Sequence, residues 1–130
     1  MIVIDSSALI AILLNEAEAE TFALAIAKAD RIFLSSLGMI EIGMVAIGRR
    51  GPEGLGEIRR LVTSHGIETV ALTPDLADLA LDAFARFGKG RHPAGLNMGD
   101  CASYALAASR RLPLLYKGSD FSRTDITSVL

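Results

Sequence analysis

Residues 96–121 read Leu96-Asn97-Met98-Gly99-Asp100-Cys101-Ala102-Ser103-Tyr104-Ala105-Leu106-Ala107-Ala108-Ser109-Arg110-Arg111-Leu112-Pro113-Leu114-Leu115-Tyr116-Lys117-Gly118-Ser119-Asp120-Phe121. The small-residue run to Arg111 predicts a helix, and Leu112–Tyr116 after it predicts an apolar strand. One helix and one strand are thus bracketed by two aspartates. From Leu96 to Ser109 the only charged residue is Asp100. An ionised carboxylate among apolar neighbours is costly unless something pairs with it. The pattern recurs twice, because Met1–Asn15 carries only Asp5 and Leu34–Gly48 carries only Glu41. Three apolar segments with one lone acid each point to a shared pocket with Asp120, in which a divalent metal supplies the missing positive charge.

Working outward, Ile2–Ile4 is a short branched apolar run, and Asp5-Ser6-Ser7 opens a helix over Ala8–Leu14. Asp5 therefore stands at the C-terminal end of a strand. Continuous apolar character without alternation is the mark of a strand buried on both faces. A second helix is expected over Glu16–Ala29, with acids in its first turn and Lys28 near its end. Arg31–Leu34 is the next strand, and Ser35-Ser36 caps the helix that carries Glu41 and stops near Arg49-Arg50-Gly51. That helix is apolar almost all round: Leu37, Met39, Ile40, Ile42, Met44, Val45 and Ile47 do not fit one buried stripe, which predicts a homodimer or another protein partner on it.

Gly51–Gly56 meets neither dinucleotide nor phosphate-loop spacing and reads as turn chemistry before a helix ending at His65-Gly66. Ile67–Leu72 is the third strand, and Thr73-Pro74-Asp75 opens a helix to Phe87 with one apolar face. Gly88–Gly95, with Lys89, Arg91, His92 and Pro93, is the longest flexible, basic segment, and a last short strand is expected over Ile126–Leu130. His65 and His92 read as solvated turn residues, and Tyr104 as a packing residue one helical turn beyond Asp100. Strands alternating with helices define an α/β fold, a single three-layer domain over residues 1–130 with a mostly parallel central sheet flanked by helices.

The chain has 130 residues, half of them hydrophobic, 22% charged and none Trp, with a formal net charge of −2. That composition excludes a disordered chain and a globally basic nucleic-acid binder, so any nucleic-acid contact must come from local patches. The one cysteine, Cys101, cannot form an internal disulfide and reads as an apolar filler in a reducing compartment. No run reaches the roughly 18 apolar residues of a membrane helix, and Asp5 interrupts the apolar N-terminus before a signal sequence develops. The expected location is the cytoplasm, with no membrane partner.

In an open parallel sheet, ligands collect beyond the carboxyl ends of the strands, where Asp5 and Asp120 are placed. Asp100 falls in the first turn of its helix, where the dipole is expected to keep it ionised and available. Glu41 must reach in from mid-helix. Four carboxylates in one site repel one another until a cation enters, and an all-oxygen donor set suits Mg2+ or Mn2+ better than zinc. Hydrolysis of a phosphodiester is the reaction such a site serves.

These residues resemble a known family. Ile2-Val3-Ile4-Asp5-Ser6-Ser7-Ala8-Leu9, the lone Glu41, Leu96-Asn97-Met98-Gly99-Asp100-Cys101, and Lys117-Gly118-Ser119-Asp120-Phe121 with Thr124-Asp125 look like PIN-domain proteins, and more narrowly like VapC-type toxins. The resemblance covers essentially the whole chain. It implies a metal-dependent endoribonuclease with Asp5, Glu41, Asp100 and Asp120 as the acidic metal site, and Ser7 and Asn97 as polar support. Ser119 stands where the family often has another acid or Asn, which leaves one metal or two open. The resemblance further implies a homodimer, a VapB-like antitoxin lying across the site, and a tRNA or ribosomal RNA substrate. The basic pairs Arg49-Arg50, Arg59-Arg60 and Arg110-Arg111, with Lys89, Arg91, Lys117 and Arg123, are candidates for RNA phosphates, against the alternative that pairs at helix ends are solvated dipole complements.

Plainer readings exist. Asp5 alone is also an N-cap, and Asn97–Asp100 a capping box. Glu41 has neither explanation. A phosphoacceptor receiver domain of similar size needs an aspartate at the end of its middle strand, where this chain has Ser35-Ser36. A non-catalytic module that keeps the fold for RNA or protein binding stays open as the alternative.

Overall fold

The computed structural model describes residues 1–130. Four strands, β1 (Ile2–Ile4), β2 (Ile32–Ser35), β3 (Ile67–Val70) and β4 (Leu114–Leu115), form one sheet in the order β3-β2-β1-β4 with every pair parallel. Val3 is paired with Phe33 on one side and Leu114 on the other, so β1 is central. Its three residues are buried without alternation, as a strand covered on both faces requires.

The period of two along the strands sorts their side chains into two cores. Ile2, Ile4, Ile32, Leu34 and Leu115 pack with α1 (Ser6–Leu13), α2 (Ala19–Lys28), α3 (Ser36–Arg50) and α4 (Pro52–Ser64), through residues such as Leu9, Phe22, Ile42 and Ile58. Val3, Phe33 and Leu114 pack with α5 (Pro74–Phe87) and α6 (Met98–Arg110), through Ala83, Tyr104 and Leu106. The result is the expected three-layer α/β arrangement. Helices α3 and α4 meet closely at Gly54, where a Cβ would stand 2.1 Å from the Ala46 carbonyl oxygen.

The structure differs from the sequence reading at element ends, each time because of a distant partner. Helix α2 begins at Ala19 and not at Glu16, since Glu16 and Glu18 turn their carboxylates to Lys117, at 2.7 and 3.3 Å, instead of lining the first turn. Strand β3 stops at Val70 because its partner β2 stops at Ser35, and the Leu72 N–H donates to the Ser36 hydroxyl instead. Ile126–Leu130 is no strand. It makes one parallel bridge, Ser128 to Leu114, because β4 is two residues long and offers no longer ladder. His92 is not a solvated turn residue: its Nδ1 accepts from the Ala94 N–H and its ring meets Phe87 edge-on at 5.2 Å.

The strand order places the topological switch between β1 and β4, since β1 connects through α1 and α2 to β2 on one side, and the chain returns from β3 to reach β4 on the other. Crevices at such points are where open parallel sheets bind ligands.

Candidate active site

Asp5 follows β1 directly and caps α1: its Oδ2 accepts from the Ser7 N–H at 3.0 Å. Its Oδ1 accepts from the Ser103 hydroxyl on α6 at 2.5 Å. Only 3% of Asp5 is exposed, and burial of a carboxylate is tolerable here because each oxygen has a donor while retaining acceptor capacity. Ser7 also accepts from the Lys117 N–H at 3.0 Å, joining the start of α1 to the chain after β4.

Glu41 reaches in from the middle of α3, half-buried, and its Oε1 accepts from the Ser6 hydroxyl at 3.2 Å. Its carboxylate lies against the first turn of α6, where only glycine fits. A Cβ on Gly99 would stand 2.2 Å from both Glu41 oxygens. Burial foremost, and the nearby Asp5 second, raise the Glu41 carboxyl above its ordinary value, against the Ser6 hydrogen bond.

Asp100 and Asn97 form the capping box. The Asn97 side chain accepts from the Asp100 N–H at 2.9 Å, and Asp100 Oδ2 accepts from the Asn97 N–H at 3.1 Å. The structural reading of this pair is therefore correct, but it does not exhaust Asp100. Its carboxyl is pushed up to about 6, chiefly by burial, with Asp5, Asp120 and Glu41 all raising it and the Asn97 N–H opposing them. The helix N-terminus thus does not keep this group as readily ionised as the sequence alone implies, because desolvation and three like charges outweigh one dipole.

Asp120 stands exposed in the turn after β4, before a 3-10 turn over Phe121–Arg123. The fold therefore brings to one place the four acids that the sequence singles out, from four different segments. None of the four is in an ion pair. No three acids form a ready-made cage for an ion. That spacing still fits magnesium-type binding, in which one or two carboxylates, water and substrate phosphate share the coordination shell. The donor set is all oxygen, so the residues present fit Mg2+ or Mn2+.

The polar support differs from expectation in its members. Ser7 and Asn97 hold Asp5 and Asp100 as described, while Ser119 is exposed and only its carbonyl is engaged, by the Ser122 hydroxyl. Ser6 and Ser103 are the supporting residues that the sequence reading missed. Ser103 was accessible to it, as a hydroxyl three residues after Asp100 on a helix of small apolar residues. Of the basic candidates, Lys89, Arg91 and Arg123 are exposed, with Arg123 donating to the Pro93 carbonyl at 3.2 Å and so lying against the Gly88–Gly95 loop. Lys117 is committed to Glu16 and Glu18. Cys101 is buried, and burial holds its thiol up at about 11, as an inert filler requires.

The family model of the PIN domain matches residues 2–126. The chain belongs to the PIN-domain family. Ribonuclease VapC30 of Mycobacterium tuberculosis is 44% identical over 128 residues, covering 98% of this chain and 97% of that protein. A ribonuclease VapC of Mycolicibacterium smegmatis is 43% identical over 127 residues, covering 98% of each. Within the PIN family, this chain therefore belongs with the VapC ribonucleases. Among solved structures, VapC20 of Mycobacterium tuberculosis, described as a sarcin-ricin loop cleaving toxin, superposes with a TM-score of 0.80 at 18% identity over 98% of this chain and 97% of that one. A toxin–antitoxin complex from Klebsiella pneumoniae matches with a TM-score of 0.74 at 18% identity, over 96% of this chain and 93% of that one. These two likenesses show that the PIN fold is shared.

Proposed function

We propose that this PIN-domain chain is a Mg2+- or Mn2+-dependent endoribonuclease, the toxin of a toxin–antitoxin pair. The observation that carries the reading is the convergence of Asp5, Glu41, Asp100 and Asp120 at the switch of the sheet without any ion-pair partner. The cation would be held among these residues, by one or two carboxylates directly with water and substrate phosphate completing its shell, and when bound it would supply a water nucleophile at neutral pH and neutralise charge on a phosphoryl oxygen.

The chain's own residues do the positioning. The Ser7 N–H and the Ser103 hydroxyl fix the plane of the Asp5 carboxylate, Ser6 orients Glu41, and Asn97 holds one oxygen of Asp100, so that the remaining lone pairs are presented without reorganisation. Lys89, Arg91 and Arg123 supply phosphate contacts that hold RNA beside the acids. The substrate class is structured ribosomal RNA or tRNA, and the description of VapC20 as a sarcin-ricin loop cleaving toxin is in keeping with an RNA loop as the target. Such substrates place the activity in the cytoplasm. The antitoxin is a VapB-like protein, in keeping with the complex from Klebsiella pneumoniae. Two apolar surfaces are available for it and for a second copy of the chain. One is the stripe of α3 formed by Ile40, Met44 and Ile47, which are 57%, 68% and 43% exposed. The other is a groove of about 350 Å³ lined by Leu72, Leu81, Phe84 and Met98.

The test is cleavage of a mixed tRNA and ribosomal RNA preparation by the purified chain with Mg2+ or Mn2+, with chelator, and by Asp100→Asn. Discrete products that vanish with chelator and in the variant support the proposal. Silence of both proteins together with no Mn2+ binding would transfer the chain to the alternative, a non-catalytic PIN-fold module for RNA or protein.

A further inference from the structure

Asp120 is the least supported of the four acids. It is exposed, the strand before it is two residues long, and Gly118 between them lies in the left-handed region at φ +97°. The 3-10 turn that follows receives no side-chain cap from Asp120. What sets this carboxylate against Asp100 must therefore lie on either side of it. Upstream, the Lys117 N–H is held by Ser7 and its ammonium by Glu16 and Glu18. Downstream, Phe121 is buried to 1% exposure and packs on Tyr116 with ring centroids 5.0 Å apart. The turn then closes through the Thr124 N–H and hydroxyl, both donating to the Phe121 carbonyl, at 3.0 and 2.7 Å.

Phe121 shares its core with Cys101, Tyr104 and Leu106 of α6, and Asp125, the residue after Thr124, makes the one side-chain hydrogen bond from this segment to α6. Its Oδ1 accepts from the Tyr104 hydroxyl, and its Oδ2 accepts from Arg86 Nη2 at 3.1 Å. Arg86 also donates to the Tyr104 oxygen at 3.4 Å, and its guanidinium lies 4.7 Å over the Phe87 ring, which in turn packs on Tyr104. Tyr104 is one helical turn beyond Asp100. The neighbouring α6 residue Ser103 already holds Asp5. One turn of α6 thus carries Asp100 and reaches both neighbouring segments of the site.

We propose that Tyr104 and Asp125, locked by Arg86, are positioning residues that set Asp120 relative to Asp100 for metal binding. The proposal rests on the four-carboxylate reading above. None of the three touches the cation or the RNA. They act through the 3-10 turn, whose internal hydrogen bonds transmit the position of Asp125 back to Asp120. Supporting shells of this kind govern metal affinity even when they contribute no ligand.

The test uses the full chain and Mn2+ itself as the probe, with binding followed by electron paramagnetic resonance and calorimetry, beside thermal melting and RNA cleavage at varied Mn2+. Tyr104→Phe removes one hydroxyl and keeps the packed ring. It is expected to fold with a native circular dichroism spectrum, to bind Mn2+ about tenfold more weakly, and to regain most of its kcat at saturating Mn2+ with KM for RNA unchanged. Asp125→Asn, which also removes the charge facing Arg86, should weaken Mn2+ binding too, and the double variant should lose less than the sum of the two single losses, since the changes share the Tyr104–Asp125 contact. Arg86→Lys, a surface change, keeps the test open if Tyr104→Phe does not fold, and should move Mn2+ affinity in the same direction. A lowered melting temperature with unchanged Mn2+ affinity and half-saturation in these variants would overturn the proposal. If the wild-type chain binds no Mn2+ at all, the four-carboxylate reading falls first and this one falls with it.

Discussion

The carboxylates of this protein live under two opposite regimes. On the surface, several acids are matched with cations: Asp30 with the N-terminal ammonium, Glu68 with Arg31, Glu57 with Arg50, and Asp125 with Arg86. The Asp30 carboxyl is held below its ordinary value, first by its hydrogen bond from that ammonium, and Asp125 by the Tyr104 hydroxyl. At the carboxyl end of the sheet the sign reverses. Glu41 is raised by burial and by Asp5, and Asp100 by burial and by Asp5, Asp120 and Glu41. Asp30 and Asp125 thereby help the folded state when ionised, whereas ionised Glu41 and Asp100 burden it. Groups poised against their own fold in this way cluster at functional sites.

Removing single charges separates the two groups of acids most strongly. Asp100→Asn or Asp5→Asn is expected to lower cleavage at least 100-fold, while Glu57→Gln and Glu68→Gln leave it unchanged, as single-turnover rates on the cleaved RNA would show. Equal losses in both groups would erase the distinction. Next in size is Gly99→Ala, which drives a methyl group into the Glu41 carboxylate. Because Glu41 is the flexible partner, it is displaced and the fold survives. Mn2+ affinity should fall about tenfold by calorimetry, with a smaller loss in melting temperature.

The stability of the metal-free protein tests the signs directly. With a folded value of about 6, Asp100 binds its proton more tightly in the native than in the unfolded chain. Stability must therefore fall as pH rises from about 4 to about 6, and the penalty is complete at neutral pH. Glu41 adds to it in the same direction. Asp100→Asn should accordingly stabilise the metal-free chain at pH 7 by ~1 kcal/mol, after allowance for solvent screening, or about 3–5 °C in calorimetry. Mg2+ should raise the melting temperature of the wild type and not of this variant. The smallest effect belongs to the surface: Glu57→Gln should cost ~0–1 kcal/mol at low salt and less at high salt.

Helices α3 and α6 show what could be read in advance. Both are apolar runs with one acid, and in both the lone charge was legible: Glu41 has no local reason to be there, and the capping box that Asp100 makes with Asn97 does not exhaust it. The surplus of apolar residues on α3 also foretold an uncovered face, and Ile40, Met44 and Ile47 are indeed exposed. The partners of these acids were not legible. Asp5 is held by a hydroxyl 98 residues away, and Lys117 is taken up by Glu16 across 101 residues. Likewise, the expected strand over Ile126–Leu130 carried the right composition, but the shortness of β4 left it one bridge.

The α/β class, the buried central strands and the singling out of the four acids that the fold gathers were legible in the residues alone. These follow from short-range rules: the period of the apolar pattern, the caps, and the cost of an isolated charge. The place of β4 beside β1, the hold of Ser103 and Ser6 on two of the acids, and the rise of Asp100 to about 6 arise with the assembled fold. Strand order is set by how the crossovers pack on the two faces of the sheet. Hydrogen bonding and desolvation depend on distances that exist only once that packing is complete.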